Sequence, residues 1–416
     1  MKRSLRDMTK KLFKKSIVAV VLVPFVFSGI AKAATSNITE YPTNIERSFP
    51  YDITNGPDGN VWFTDQGTNS IGMITPSGTV KEYTLTGGYC KPVDITAGPD
   101  GNLWFTESGK DDPGAVGVIT PSGNITNYPV NDSWSVHGIT VGPDNNLWFT
   151  YTYWGYRGDD PGALGMVTTS GSVTTYAPDN DVVSPQEIVT GPDGNLWFTD
   201  NQNNSVDETT TANPTQTIVY TLPSGADPYG IVSGPNNSLW FAEPGIGSLA
   251  EISTSGAITQ FPLSSIAGAK PFDVTKGSDG NVWFTDIGTN SVGMITPSGV
   301  VNEYTPPTTK VKLFGVTNGP GGIWFTEFVT DPSSNIGFIP VSAPVTVTQV
   351  TSATTTATAA TTSVPTAVKA PNTGFGSPEA TSWTVMLAIL SLPVAISAQL
   401  YFVGRHRNLK STSSVK

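Results

Sequence analysis

Seven Trp-Phe dipeptides recur along this 416-residue chain at an almost constant interval. Their tryptophans are Trp62, Trp104, Trp148, Trp197, Trp240, Trp283 and Trp324, with steps of 42, 44, 49, 43, 43 and 41 residues. Each sits in a variant of one phrase, I-T-x-G-P-D-G-N-L-W-F-T-E. A repeat of about 40–45 residues, made of short apolar runs and turn signals, is the mark of a β-propeller. The expected fold is all-β: a seven-bladed propeller of four-stranded antiparallel blades.

The unit reads as four strands. The first is the Asp-Ile-Thr type, at Asp52–Thr54 and Asp94–Thr96. Gly-Pro-Asp-Gly-Asn follows as turn chemistry, with Pro presetting one φ and Gly accepting a positive one. Leu-Trp-Phe-Thr is the second strand, bulky enough to pack between blades. Ile-Gly-Met-Ile-Thr is the third, and Ile-Thr-Glu-Tyr-Pro the fourth, ended by its proline. Fourth-strand copies begin near residues 38, 80, 125, 173, 217, 258 and 300, so the first precedes the first tryptophan. The last unit has no fourth strand of its own. Pairing Ile38–Pro42 with that unit closes the ring and removes the open edges; an open solenoid is the alternative.

The two ends are of another kind. Residues 1–33 read as a secretory signal peptide: a basic start, an apolar run over Ile17–Ile30, and Ala31-Lys32-Ala33 as cleavage site. The propeller is expected over 34–340. Residues 341–370, rich in Thr, Ala, Ser and Pro, lack apolar periodicity and read as a stalk. Residues 371–376 follow, then an apolar span at 383–403, long enough for a transmembrane helix, and a basic tail at 404–416 expected on the cytoplasmic side. This order resembles the sortase sorting signal, with Pro371-Asn372-Thr373-Gly374 matching and Ala370 in place of its leucine. It implies a sortase as partner and a cell-wall or membrane anchorage on a bacterial surface. Cys90 is the only cysteine, so no intrachain disulfide exists. Residues 34–370 hold 10 Lys+Arg against 31 Asp+Glu, a net charge of −21. That balance repels nucleic-acid phosphates and argues against a nucleic-acid partner.

Residues that repeat in every unit build blades; a site belongs where the copies differ. The heads of the first strands read Tyr51, Val93, His137, Gln186, Tyr229, Phe272 and Phe314. The residues after the Trp-Phe-Thr phrase read Asp65, Glu107, Tyr151, Asp200, Glu243, Asp286 and Glu327. Both sets belong to one face of the ring. Six acids there either cap their own loops or converge on a mouth that holds a divalent cation, Mg²⁺ or Ca²⁺. The paired aspartates Asp111-Asp112 and Asp159-Asp160 read as turns or as further Ca²⁺ ligands. Unit three departs furthest. It has His137, and an aromatic set of Trp134, Tyr151, Tyr153, Trp154 and Tyr156. Such a platform suits a sugar ring, a peptide proline or a cationic group, so an extracellular small molecule, glycan or peptide is the expected ligand; self-packing of the loop is the alternative.

The phrases G-P-D-G-N-L-W-F-T-E, I-G-M-I-T-P-S-G and I-T-E-Y-P together resemble the virginiamycin B lyase (streptogramin lyase) family, from about Ile38 to Pro340. The resemblance implies a propeller that opens a cyclic depsipeptide by elimination across its ester, with Mg²⁺. It implies a catalytic group made of a histidine heading blade six, Glu-Pro-His heading blade seven, and a glutamate after the last Trp-Phe phrase. Here those places read Lys270-Pro271-Phe272, Lys312-Leu313-Phe314 and Glu327. Only Glu327 matches. The expected function is therefore ligand binding at the channel mouth, with a streptogramin C–O lyase and a structural adhesin or spacer as alternatives.

Overall fold

A computed structural model describes residues 38–86, 91–109, 114–131, 134–153, 162–176, 182–329 and 334–342. They form seven four-stranded antiparallel sheets, which makes the protein an all-β, seven-bladed propeller. In blades 1 to 6 the strands run from inner to outer in chain order, beginning with Pro50–Asn55, Val61–Asp65, Ser70–Ile74 and Val80–Thr84 in blade 1. Blade 7 takes three strands from the end, Lys312–Gly319, Gly322–Phe328 and Asn335–Pro340, and its outer strand, Thr39–Pro42, from the start. The ring is thus closed as the offset of the fourth strands requires.

The Trp-Phe phrase builds the frame in two directions. In five blades the phenylalanine lies over a third-strand glycine of its own sheet, as Phe63 does over Gly72, where a Cβ would meet the ring; Phe198 faces Asp207 and Phe241 faces Ala250 instead. Each tryptophan stacks on an outer-strand aromatic, Trp62 on Tyr83 at 5.6 Å and Trp197 on Tyr220 at 5.3 Å. In blade 7 that partner is Tyr41, 5.7 Å from Trp324. The indole N–H is held from the turn in every blade but the fifth, Trp62 Nε1 donating to Asp58 Oδ1 at 3.1 Å, while Trp240 Nε1 has no partner among the described residues. Core side chains then bridge from blade to blade, so that Trp104 packs with Val136, Ile139 and Phe149 of blade 3.

Among the described residues no helix is long and apolar enough to cross a membrane. The signal peptide, most of the stalk, the sorting-like motif, the 383–403 span and the basic tail lie outside them.

Candidate functional site

The inner strands wall the central channel, each touching the next all the way round, blade 7 against blade 1 included. In six blades the inner strand carries a bulge, as between Pro50 and Ile53 or Leu313 and Val316. Two residues there oppose one on the second strand, which re-aims side chains. The bulge pairs are Tyr51-Asp52, Val93-Asp94, His137-Gly138, Gln186-Glu187, Phe272-Asp273 and Phe314-Gly315; Tyr229-Gly230 hold the matching place in blade 5.

One hydroxyl fastens each bulge to its neighbour. Thr64 Oγ1 accepts from the Asp52 N–H at 2.9 Å and donates to the Val93 carbonyl of blade 2 at 2.9 Å. Thr106, Thr150, Thr285 and Thr326 repeat the pattern, Thr326 reaching Tyr51 of blade 1. Blade 5 has Ala242 at that position, and there the Gly230 N–H donates directly to the Phe272 carbonyl at 3.0 Å.

Side chains from blades that are not neighbours meet over the axis. The Tyr51 and Tyr229 hydroxyls, from blades 1 and 5, are 2.8 Å apart. Tyr229 stacks on Phe272 at 4.1 Å, Phe272 meets Phe314 edge-on at 5.7 Å, and Phe314 lies 5.2 Å from Tyr51. Phe49 and Phe328 extend the group, 4.4 Å apart, with Phe49 5.3 Å from Phe314. The result is an aromatic mouth on blades 5, 6, 7 and 1. All six rings are half-buried, so each keeps a part of its surface in solvent.

One residue further along the inner strands lie Asp52, Asp94, Glu187 and Asp273. Asp94 acts on both Asp52 and Glu187. Three of the carboxylates also reach the backbone of the next blade: Asp52 Oδ2 accepts from Ile95 N at 2.9 Å, Asp94 Oδ2 from Ile139 N at 2.5 Å, Asp273 Oδ2 from Val316 N at 2.8 Å. Burial, then repulsion among the four, holds Asp52 and Glu187 well above the carboxylate range. Burial pushes Asp273 up to about 7 against its two backbone hydrogen bonds. These four were not singled out from the sequence. The signal was there in the second bulge position, which reads Asp, Asp, Gly, Glu, Gly, Asp, Gly around the ring.

The six acids after the Trp-Phe phrase do not meet. Each is buried within its own blade. The three aspartates cap loops, which is why they lie inside: Asp65 Oδ1 accepts from Phe49 N, Gly67 N and Thr68 N at 2.8, 2.9 and 3.1 Å. Asp200 does the same for Val183, Ser184 and Asn203, and Asp286 for Lys270, Gly288 and Thr289. Glu107, Glu243 and Glu327 are one methylene longer, and each leaves one oxygen unpartnered. Burial raises all three, Glu107 to about 7. Among the described residues no group of three His, Cys, Asp or Glu side chains is placed to hold a metal ion.

The blade 3 platform is only partly described. Tyr151 is 2 % exposed and packed in the blade core, with a hydrogen bond to Thr175 of the outer strand. A ring so enclosed offers no face to a ligand, which corrects the expectation for this residue. Trp134 and Tyr153 pair across the end of their hairpin, while Trp154, Tyr156 and both aspartate pairs lie outside the described residues. His137 places Nε2 3.1 Å from Thr152 Oγ1, and burial lowers it to about 4, so it is neutral. No ring contact joins it to the aromatic mouth among the described residues.

The model of the virginiamycin B lyase family matches residues 36–336. The chain belongs to the virginiamycin B lyase family. A solved streptogramin B lyase is 32 % identical, with 73 % of this chain and 97 % of that one covered and a TM-score of 0.64. A catalytically inactive histidine-to-alanine virginiamycin B lyase from Staphylococcus aureus, solved with quinupristin, is 30 % identical, with 73 % and 99 % covered and a TM-score of 0.64. A structure of YCF48 bound to D1 peptide, 10 % identical at a TM-score of 0.56 over 76 % of this chain and all of that one, shares the fold alone. No curated protein sequence matches.

Phe272 and Phe314, where the resemblance implies histidines, both belong to the aromatic mouth. Lys312 replaces the glutamate of the Glu-Pro-His triplet. Glu327 is retained. It is fully buried, Asn335 Nδ2 donates to its Oε2 at 3.1 Å, and Oε1 is unpartnered. Burial, with a smaller contribution from Glu40, pushes it up to about 8.

Proposed function

We propose that this chain is an extracellular, surface-tethered member of the virginiamycin B lyase family that binds its ligand over the aromatic mouth, without histidine-dependent elimination. One observation carries the reading: Phe272 and Phe314 pack against each other and against Tyr229 and Tyr51 where the resemblance calls for histidines. A general base needs a titratable atom within hydrogen-bond reach of the proton it removes, and phenylalanine has none. Half-exposed aromatic rings, by contrast, offer contact area at little entropic cost. Surface tethering rests on the sequence of the two ends. A glycan, a peptide or another small molecule suits such a mouth.

Glu327 favours a second reading. A retained carboxyl group raised to about 8 by burial has the basicity to take a proton at neutral pH. Lyase activity would then run through Glu327 without a histidine. The test uses purified full-length protein in detergent, with Mg²⁺ and a type B streptogramin, followed by mass spectrometry. The expected result is no linear product above the protein-free control. Ring opening at enzymatic rates, abolished by Glu327→Gln, would replace the first reading by the second. On a glycan and peptide array, Phe272→Ala is expected to lose the hits of the wild-type protein, and Trp154→Ala reports whether the blade 3 loop takes part.

A further inference from the structure

We infer that the aromatic mouth selects an anion: a flat apolar ligand carrying a carboxylate or a similar negative group. The inference rests on the mouth being the binding site and adds the charge of what it takes.

The described residues hold seven Lys and Arg: Arg47, Lys81, Lys91, Lys270, Lys276, Lys310 and Lys312. Four of them lie where the chain leads into the inner strands of blades 1, 6 and 7: Arg47, Lys270 and Lys310 in the connections, and Lys312 at the first strand residue of blade 7. They stand next to the mouth in the chain: Arg47 two residues before Phe49, Lys270 two before Phe272, Lys312 two before Phe314 and Lys310 two before that. All four are exposed, and among the described residues none is held in an ion pair. Their loops are fixed. Asp65 caps Phe49 N and accepts from Ser48 Oγ, and Asp286 caps Lys270 N. Lys312 pairs across its hairpin with Phe328, whose ring touches Phe49.

Negative charge is sparse in the same sector. The connections 43–49, 66–69, 222–228, 244–247, 263–270, 287–290 and 305–311 together contain two acids, Glu46 and Asp227, the latter exposed two residues before Tyr229. The remaining connection, at 329–334, carries Asp331 outside the described residues. For a domain with a net charge of −21 between residues 34 and 370 this is a marked local inversion. Exposed cations without partners around a partly desolvated apolar surface attract and orient an anion and disfavour a cation. The carboxylates below the rings oppose this only weakly. The rings lie over them, Asp52 and Asp273 are tied to backbone N–H groups, and burial keeps Asp52, Glu187 and Asp273 above the normal range.

The test compares three probes of one shape, 2-naphthoate, 2-naphthamide and 2-naphthylmethylammonium, by titration calorimetry on the full-length protein in detergent. The naphthoate is expected to bind at least tenfold more tightly than the ammonium probe, and to weaken in 0.5 M salt. Lys270→Gln with Lys312→Gln is expected to remove that preference while leaving the neutral amide unchanged. Both lysines are exposed, so an unchanged melting curve confirms the fold of the variant. Equal or tighter binding of the ammonium probe, or a double variant that keeps the preference, overturns the inference. The amide separates this from the reading beneath it. If it binds and Phe272→Ala weakens it, the mouth stands whatever the charge preference. If no probe binds, both fall.

Discussion

At the residue scale, the threonine of Trp-Phe-Thr does work that its own repeat does not reveal. Its hydroxyl accepts inside one blade and donates into the next, so its second partner lies some thirty residues away or, for Thr326, at the other end of the chain. Thr326→Val keeps shape and leaves the Gly315 N–H and the Tyr51 carbonyl without that bond. A loss of about 2–4 kcal/mol in denaturant unfolding is expected for two unsatisfied groups. Blade 5 shows the alternative, since Ala242 is tolerated where backbone meets backbone directly. Asp207 is a second such residue. Five blades have glycine at its position and blade 5 has Ala250, yet Asp207 is fully buried beside Phe198, with both oxygens unpartnered and the nearby Ser205 Oγ unpartnered as well. Burial raises it to about 7. Its folded value lies above its unfolded one, so its ionisation costs nothing below about pH 4 and progressively more up to pH 7, by roughly 4 kcal/mol at most. Asp207→Asn should therefore melt higher than the wild type at pH 8 and show little difference at pH 4. Equal melting at both values would mean that the group is not desolvated. From sequence, the ring could be read only one residue deep, at Tyr51, Phe272 and Phe314. The acids at Asp52 and Asp273 stood in the sequence, but the bulge that turns them inward arises from register with the second strand, which one strand read alone does not show.

At the element scale, the ring is closed by four residues. Thr39–Pro42 pairs with Asn335–Pro340, Tyr41 supplies the stack that Trp324 needs, and Glu40 accepts from Thr308 N and Oγ1 at 2.8 and 2.6 Å. This closure was legible because the fourth-strand phrase is displaced by one unit, a matter of counting. The blade 3 loop was not legible in the same way. An aromatic-rich segment reads alike whether its rings face solvent or core, and Tyr151 went inward because strand alternation places it beside Val136 and Ala163. Tyr41→Ala and Tyr83→Ala remove the same stack, one at the closure and one inside blade 1. Each should lose about 2–4 kcal/mol of local packing. Only Tyr41→Ala is expected to free the N-terminal strand, seen as faster limited proteolysis near residues 43–49 than in Tyr83→Ala. Equal cleavage of the two variants would show that the Tyr41 stack does not govern closure.

At the scale of the whole molecule, charge and burial together set a direction for stability with pH. Burial raises Glu82, Glu107, Asp207 and Asp273 to about 7 and Glu327 to about 8, and holds Asp52 and Glu187 well above the carboxylate range. In the unfolded chain such groups titrate near pH 4. Between about pH 4 and pH 8 the folded protein therefore binds more protons than the unfolded one, and its stability falls as pH rises. His137 acts the other way. Burial lowers it to about 4, so its contribution is lost as pH falls below about 6.5, but it is one group against seven. Asp58 and Asp144 set the lower limit. Partial burial pushes them up, but hydrogen bonds from Asn60 and Trp62, and from Asn146 and Trp148, outweigh it, so their contribution is lost only as pH falls below about 4. Acidification also relieves the repulsion of a domain with a net charge of −21. Melting of the protein should rise by on the order of 10 °C between pH 8 and pH 5. Asp207→Asn should remove part of that slope and a surface substitution such as Glu46→Gln should not. A melting temperature flat or falling over this range would mean that water reaches the channel carboxylates, and that the rings of Tyr51, Tyr229, Phe272 and Phe314 do not close the mouth above them.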